Sequence, residues 1–280
     1  MTILITGARG KVGQAVIARL HSAGLAVRAA SGHPAELTVP AGVETAELAL
    51  DRPETFAPAL SGVRQVFLYP EPAGIHDFVK AAEAAGVEHV VLLSSSSVLG
   101  PDAENDPLAS HSLKIERALA DSALTHTFLR PDAFASNSFG WAGSISRSMP
   151  VQLAYPDAHV ALIHPEDIAD IAAEALTGGA LTGRSLTLTG PESLSFREQL
   201  AVLADTLGRE IPVEHISRPE AERQMGGYLP APMACSLLDL WKAADHRPAA
   251  IADTTETLLG RPARTFRQWA QENAGAFTGR

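Results

Sequence analysis

The chain has 280 residues, of which 46% are hydrophobic and 19% charged, and its formal charge is −10 at pH 7. This composition predicts a globular protein with a sizeable buried core, and the acidic charge argues against a nucleic-acid partner because a phosphate backbone requires a basic surface. The single cysteine, Cys235, excludes an internal disulfide framework and a Cys-rich metal site. No apolar run reaches the length of a membrane span, so we expect a cytoplasmic protein.

The chain begins with a strand, a glycine-rich turn and a helix in immediate succession. Residues 3–5 are apolar, residues 6–13 read Thr-Gly-Ala-Arg-Gly-Lys-Val-Gly, and an amphipathic helical pattern follows. The first glycine permits a sharp turn, the second leaves room for a pyrophosphate, and the third lets the helix pack closely on the strand. An ordinary glycine turn is the alternative. The predicted dinucleotide contacts are Thr6, Gly7, Arg9, Gly10, Lys11, Val12 and Gly13.

Strand and helix patterns then alternate through the first half of the chain. We predict strands over 25–30, 43–48, 63–69, 87–93 and 125–129, and helices over 51–60, 75–85 and 110–121. Asp51 is the expected N-cap of the helix over 51–60. Alternation of this kind predicts a parallel sheet whose ligands bind where the strands end, so the loops after residues 5, 30, 69, 93 and 130 should meet around one cleft.

The second half is less regular and richer in helix patterns. We predict helices over 165–176, 195–207, 232–244 and 265–274, and strands over 185–189 and 213–216. The predicted fold class is α/β, a Rossmann-type doubly wound parallel sheet with a smaller, mostly helical C-terminal substrate lobe. Residues 1–130 are assigned to the dinucleotide-binding domain and 131–280 to the substrate lobe, and the strand near 185–189 is a candidate to rejoin the first domain.

Five motifs spread over nearly the whole chain carry a family resemblance. They lie at residues 3–13, 90–95, 127–131, 164–169 and 186–191. Together they resemble the atypical branch of the short-chain dehydrogenase/reductase family, and within it the NmrA-like and quinone-oxidoreductase-like proteins. The combination of Leu129-Arg130-Pro131 with Asp167-Ile168-Ala169 is more specific than the glycine motif. The resemblance implies either an NAD(P)H-dependent reductase or a redox sensor that binds the cofactor without turnover.

The residues after the second strand bear on the choice of cofactor. Ser31-Gly32-His33 lacks the acid that holds the ribose hydroxyls in NAD-selective sites, and the nearest acid, Glu36, lies beyond Pro34. Arg9 in the glycine turn, helped by Ser31, suits a 2′-phosphate, and a solvated side chain is the alternative for Arg9. We therefore predict that NADPH is preferred over NADH.

Two positions at the same end of the sheet depart from the family pattern. Gly32 stands where many NADPH-binding relatives carry an arginine, and Ala49 stands where many carry an aspartate that contacts adenine. Both departures imply a looser adenosine site.

The acid–base pair of most short-chain reductases is missing. The resemblance implies a tyrosine followed by a lysine four residues later, and none of Tyr69, Tyr155 and Tyr228 has such a lysine. Ser110 and Lys114 keep the spacing, but a serine hydroxyl is too weak an acid. What remains is hydride transfer between two oriented planar partners, with the proton supplied by solvent or by a hydroxyl of the substrate.

Several polar residues near the strand ends are candidates for the chemistry. Ser94 and Ser95 could hold a substrate oxygen or merely finish the strand, and Asp132 could donate a proton or cap a helix near Ala133. Lys114 could reach the nicotinamide ribose or lie on the helix surface. The catalytic candidates are Ser95, Asp132 and Lys114, and the cofactor contacts extend to Ser31, Tyr69, Ser94 and Pro131.

Aromatic residues after the sixth predicted strand suggest the substrate. Phe134, Asn137 and Trp141 are predicted to bind it, since aromatic walls suit a flat, apolar molecule; core packing is the alternative. The ten histidines lack metal-ligand spacings, so no metal is predicted.

The motifs together predict an NAD(P)H-dependent reductase for a ketone or quinone on a flat, aromatic, polycyclic small molecule. The Ala-, Gly-, Arg- and Pro-rich composition is typical of high-GC bacteria, in which such ketoreductases often serve antibiotic biosynthesis. A non-catalytic NAD(P)-binding sensor of the NmrA type is the alternative, and an isomerase or epimerase that holds NAD tightly is a third possibility. The oligomeric state stays open.

Overall fold

The computed structural model describes residues 2–279 and contains two compact units. The first unit comprises the chain as far as Asn105, Ala109–Pro131 and Pro165–Leu188. The second comprises Asp106–Leu108, Asp132–His164 and the chain from Thr189 onward. The helix predicted over 165–176 therefore belongs to the first unit and not to the C-terminal lobe, because it packs beside the helix that follows the glycine turn.

The predicted strands occur within two residues of their expected bounds. Three further strands are only two or three residues long, and so short a segment shows no alternation of apolar and polar residues from which a strand could be predicted. In chain order the strands are β1 (Thr2–Ile5), β2 (Ala26–Ser31), β3 (Glu44–Glu47), β4 (Val63–Leu68), β5 (His89–Leu93), β6 (Thr125–Pro131), β7 (Val151–Leu153), β8 (His159–Val160), β9 (Ser185–Leu188), β10 (Leu194–Ser195) and β11 (Val213–His215).

Seven of these strands form one parallel sheet in the first unit. Their order is β3-β2-β1-β4-β5-β6-β9, so the chain order reverses between β1 and β4. β9 joins the edge of the sheet by pairing with β6. Every residue of β5 is buried, as expected for a parallel strand covered on both faces. The Rossmann-type prediction is confirmed, and ligands of such sheets bind at the reversal point.

Helices cover the sheet and are the longest elements of the second unit. They are α1 (Lys11–Ser22), α2 (Phe56–Leu60), α3 (Ile75–Ala85), α4 (Ser110–Ala120), α5 (Ala142–Ser146), α6 (Pro165–Thr177), α7 (Phe196–Leu207), α8 (Arg218–Met225), α9 (Ala231–Ala244), α10 (Thr254–Leu259) and α11 (Phe266–Glu272).

The expected N-cap at Asp51 is wrong. The chain first forms a short 3-10 helix, Pro53–Thr55, with Arg52 at its N-cap position, and α2 begins only at Phe56. Proline has no N–H and favours the first position of a helical turn, so Pro53 moves the start of the helical segment past the acid.

Each unit has its own apolar core. In the first, Phe56 and Phe78 meet edge to face with ring centroids 5.6 Å apart beneath the sheet. In the second, Phe266 and Trp269 of α11 stack with centroids 5.5 Å apart. Ser195 begins α7 with a capping box, and its hydrogen bonds to the Glu198 carboxylate lower the pKa of that group.

His89 is a buried ionisable group in the core of the first unit. Its Nε2 lies 2.9 Å from Oγ1 of Thr127, and that hydroxyl donates to the carbonyl oxygen of Leu181 at 2.7 Å. Because the single hydroxyl hydrogen of Thr127 is used in this way, the Nε2–H of His89 is the donor. Burial, with a smaller effect of nearby His126, lowers the pKa of His89 below its usual value.

A His89→Gln variant is expected to lose part of the pH dependence of the free energy of unfolding. The pKa of His89 is lowered by folding, so the unfolded chain binds more protons once the pH falls below about 6.5. The contribution of neutral His89 is therefore complete above that pH and is lost as the pH falls towards the lowered value. Urea unfolding at about pH 7.5 and about pH 5.5 measures the difference.

The control is His111→Gln, which changes an exposed histidine on α4. It should keep the pH dependence of the unsubstituted protein. Identical pH dependence in the His89 variant and the unsubstituted protein would contradict the assignment of His89 as the titrating group.

Candidate functional site

The glycine turn between β1 and α1 is as tight as its sequence predicts. Gly7 has a φ of +62°, and a Cβ there would lie 2.8 Å from Cβ of Tyr69. A Cβ on Gly13 would lie 2.4 Å from the carbonyl oxygen of Gly7. The sequence analysis expected this close approach between the helix and the strand, whereas in the structure it lies between α1 and the turn. Side chains at either glycine would displace the turn.

Thr6 joins the turn to the neighbouring strand. Its Oγ1 donates to the carbonyl oxygen of Phe67 at 3.1 Å and accepts from the backbone N–H of Tyr69 at 2.7 Å. These two bonds tie the ends of β1 and β4 together at the point where the strand order reverses. Tyr69 is 51% exposed beside Gly7, so its ring lies at the surface of the predicted cofactor site.

The N-terminus of α1 fits an anionic ligand. Gly10 occupies the N-cap position in an extended conformation, and no side-chain hydrogen bond caps the helix. Lys11 is exposed, whereas the side chain of Val12 packs into the core, so Val12 can contribute only its backbone N–H. Helix N–H groups without a protein partner bind diphosphates well because the helix dipole also favours negative charge.

The residues after β2 differ from the sequence prediction in one respect. Arg9 is paired with Glu36, whose Oε2 lies 3.0 Å from Nη1 of the arginine, and both side chains are more than half exposed. The 3-10 helix Pro34–Glu36 brings this carboxylate back towards the glycine turn. Ser31 Oγ accepts from the backbone N–H of His33 at 3.1 Å. Arg9 is therefore an exposed cation that already has a carboxylate partner.

A buried ion pair connects the ends of β5 and β6 with α4. Arg130 makes a bidentate contact with Glu116, with Nε–Oε1 at 2.9 Å and Nη2–Oε2 at 2.6 Å. The hydroxyl of Ser94 donates to the same carboxylate at 2.5 Å. Glu116 is only 5% exposed. The hydroxyl of Ser94 therefore holds the carboxylate and can offer a ligand only its lone pairs.

Sequence reasoning assigned no role to the Glu116–Arg130 pair, although a signal existed. Glu116 lies on the face of α4 that also carries Ile115 and Leu119, which are buried. A carboxylate on an apolar helix face requires a buried partner, since an unpaired charge there is costly. The only missing information was the identity of that partner.

The catalytic candidates of the first unit make local contacts. Ser95 caps the 3-10 helix Ser96–Leu99: its Oγ accepts from the backbone N–H of Ser97 at 3.2 Å and lies 2.8 Å from Oγ of Ser97. Lys114 is exposed on α4, and Pro131 is buried at the end of β6. The proposed roles of these residues in cofactor binding and catalysis stay predictions.

The remaining candidates belong to the second unit. Asp132 is half-buried, and the alternative that it caps a helix is wrong, because the next helical segment is Ala135–Trp141 with Phe134 at its N-cap position. Phe134 forms an isolated parallel bridge with Ile163. Asn137 is exposed.

Trp141 takes part in the core of the second unit. Its ring meets Phe196 edge to face, with centroids 5.9 Å apart. This contact favours core packing over substrate binding as the role of Trp141.

Neither a metal-binding cluster nor a membrane-spanning helix occurs within residues 2–279. That part of the chain contains no group of three or more His, Cys, Asp or Glu residues placed to hold a metal ion. Nor does it contain a helix whose length and hydropathy would let it span a bilayer.

Comparison with known proteins assigns the chain to a family. A family model described as NAD(P)H-binding matches residues 7–178, which include the three glycines of the turn, strands β2 to β6 and α6. The chain belongs to this NAD(P)H-binding family, in the atypical short-chain dehydrogenase/reductase group with NmrA-like and quinone-oxidoreductase-like relatives.

Curated relatives align over nearly the full length. The chain is 39% identical to the (4-alkanoyl-5-oxo-2,5-dihydrofuran-3-yl)methyl phosphate reductase of Streptomyces griseus subsp. griseus, over 98% of this chain and 99% of the relative. It is 31% identical to the NAD(P)H azoreductase of Xenophilus azovorans, with 98% and 99% covered. The NADPH complex of an NADPH-dependent quinone oxidoreductase from Escherichia coli superposes with a TM-score of 0.80 at 22% identity, covering 96% and 99%.

These relatives confirm the predicted class of enzyme. The protein is an NAD(P)H-dependent oxidoreductase, since its relatives at 31–39% identity are reductases. Because these relatives are reductases, a sensor without turnover is not favoured. The superposition on the quinone oxidoreductase structure supports the fold.

An Arg130→Ala variant is expected to lose about 3–5 kcal/mol of unfolding free energy, because the Glu116 carboxylate would stay buried without its partner. A double variant, Glu116→Gln with Arg130→Met, removes both charges and should lose less. Urea unfolding measures both losses. Arg117→Ala, which removes an exposed pair with Glu104, is the control and should change little. Equal losses in the single and double variants would show that the pair is not the cause.

Proposed function

We propose that the protein reduces a conjugated, electron-poor acceptor, a quinone or ketone in a flat small molecule, without a tyrosine–lysine acid–base pair. The observation that carries the proposal is the set of groups at the ends of the parallel strands. They are a glycine turn, serine hydroxyls and one exposed tyrosine, Tyr69, which has alanine and not lysine four residues later. Bound NAD(P)H supplies a hydride.

The named substrates of the relatives support this class of acceptor. An alkanoyl-substituted unsaturated furanone, an azo compound and a quinone appear in the names of the relatives. In each, two electrons entering the conjugated system place negative charge on oxygen or nitrogen, which water can protonate. A strong acid on the protein is therefore not required.

We assign the cofactor to the N-terminus of α1 and the substrate to polar and aromatic groups beyond it. Backbone N–H groups at Lys11, Val12 and Gly13 hold the diphosphate, and Ser95 and Asp132 orient or polarise the acceptor. Substrate binding by Phe134 and Asn137 stays a prediction. The role of Lys114 in positioning the nicotinamide ribose and a place in antibiotic biosynthesis stay predictions.

The test is oxidation of NADPH and of NADH with menadione, methyl red and an alkanoyl-substituted unsaturated furanone as acceptors. We expect turnover with at least one of them. Gly13→Ala should abolish nucleotide binding and turnover, because its Cβ would lie 2.4 Å from the Gly7 carbonyl oxygen. Gly275→Ala is the matched control, since no atom lies within 4 Å of a Cβ there.

Ser95→Ala and Asp132→Ala should each lower turnover on the acceptor so identified. Full activity in both variants would remove these residues from the mechanism. Nucleotide binding without reduction of any acceptor would favour the sensor alternative instead.

We further propose that NADPH is preferred over NADH, with Arg9 as a cation for the 2′-phosphate. Arg9→Glu is expected to raise the dissociation constant for NADPH by about ten-fold or more and that for NADH much less, since a phosphate contact to a charged group is lost only with NADPH. Calorimetric titration of the protein with each nucleotide measures both constants. Equal changes for the two nucleotides would remove Arg9 from this role.

A further inference from the structure

A second arginine occupies the space beside Gly32 at the end of β2. A Cβ on Gly32 would lie 3.6 Å from Nη2 of Arg52 and 3.6 Å from Cβ of Ala49. The same Nη2 donates to the carbonyl oxygen of Gly32 at 3.1 Å. A Cβ at Gly32 would thus be in van der Waals contact with the guanidinium, which lies against the backbone at the end of β2.

Arg52 is held in this position from several sides. Its backbone N–H donates to the carbonyl oxygen of Ala49 at 2.9 Å, and its carbonyl oxygen accepts from Oγ1 of Thr55 at 2.7 Å. Its Nη1 is paired with Glu47, the last residue of β3. The side chain is still 40% exposed, so a ligand can reach it. A guanidinium has more N–H donors than these contacts use.

The end of β2 is where a Rossmann-type fold meets the adenosine ribose. A carboxylate there binds the ribose hydroxyls of NAD, whereas a nearby arginine accommodates the 2′-phosphate of NADP. Sequence spacing alone hid Arg52, because it comes from the loop after β3 and not from the loop after β2.

We infer that Arg52 is a specificity-determining residue that binds the 2′-phosphate of NADPH in place of the side chain missing at Gly32. The inference rests on the proposed function, in which the glycine turn binds the dinucleotide. Planar guanidinium donors suit a phosphate dianion, and Arg52 adds a second cation to Arg9.

The carboxylate partners limit how strongly the two arginines select NADPH. Arg52 is paired with Glu47 and Arg9 with Glu36, and all four side chains are at least 40% exposed. Exposed ion pairs of this kind are weak, so a phosphate dianion can replace the carboxylates. Removing the negative charge of Glu47 should therefore strengthen NADPH binding.

The experiment is calorimetric titration of NADPH, NADH and 2′,5′-ADP into the unsubstituted protein and the Arg52→Ala variant, without substrate. We expect Arg52→Ala to weaken binding of NADPH and 2′,5′-ADP by about ten-fold or more and to leave NADH within about two-fold. Arg64→Ala is the control, because Arg64 is also exposed and paired with a glutamate, Glu88, but lies on β4. It should change none of the three constants.

A second variant keeps the inference testable if Arg52→Ala disturbs the local fold. Glu47→Gln leaves the arginine in place, and it should lower the dissociation constant for NADPH by about two-fold or more without an equal change for NADH. Unchanged NADPH binding in both variants, or equal changes for NADPH and NADH, would overturn the assignment of Arg52. The proposed function would survive that result, whereas an unsubstituted protein that bound neither nucleotide would overturn both the assignment of Arg52 and the proposed function.

Discussion

The close approach of α1 to the carbonyl oxygen of Gly7 is the constraint on which the cofactor site depends. Any side chain on Gly13 would overlap that oxygen, and any side chain on Gly7 would meet Tyr69. Thr6 then bonds the turn to β4, so the turn and the two central strands form one rigid group. Because α1 follows β1 directly, its N-terminus lies at the carboxyl ends of the central strands. A diphosphate site in such a place needs only backbone N–H groups.

Many polar side chains at the strand ends are used to hold the fold. The hydroxyl of Ser94 and the guanidinium of Arg130 both contact the buried Glu116 carboxylate, and Ser95 caps a short 3-10 helix. A site whose polar groups are occupied in this way favours a reaction that needs position more than acid strength. Hydride transfer is such a reaction, because it depends mainly on the position and orientation of two planar partners.

The proposed adenosine end of the cofactor site carries both positive and negative charges. Arg9 and Arg52 each have a carboxylate partner, so the site combines cations suited to a phosphate with anions that compete for them. Because these groups are exposed, their effect on the choice of nucleotide should depend on ionic strength. In the proposed site Arg52 lies beside Gly32, one of the two positions that depart from the family pattern, and its Nη2 donates to the Gly32 carbonyl oxygen.

The sequence by itself determined the fold class, the order of the main strands and the dinucleotide turn, because each depends on local patterns: apolar runs of strand length, glycines at close spacing and caps such as Gly86. The enzyme class also followed from motifs within short segments. Only the tertiary structure decided the partners of Glu116, Arg9 and Arg52, and the return of α6 to the first unit; for β9 the sequence had already suggested that return. These arrangements depend on how far side chains reach in the folded protein, as in the Arg9–Glu36 pair, and spacing along the sequence does not encode that reach.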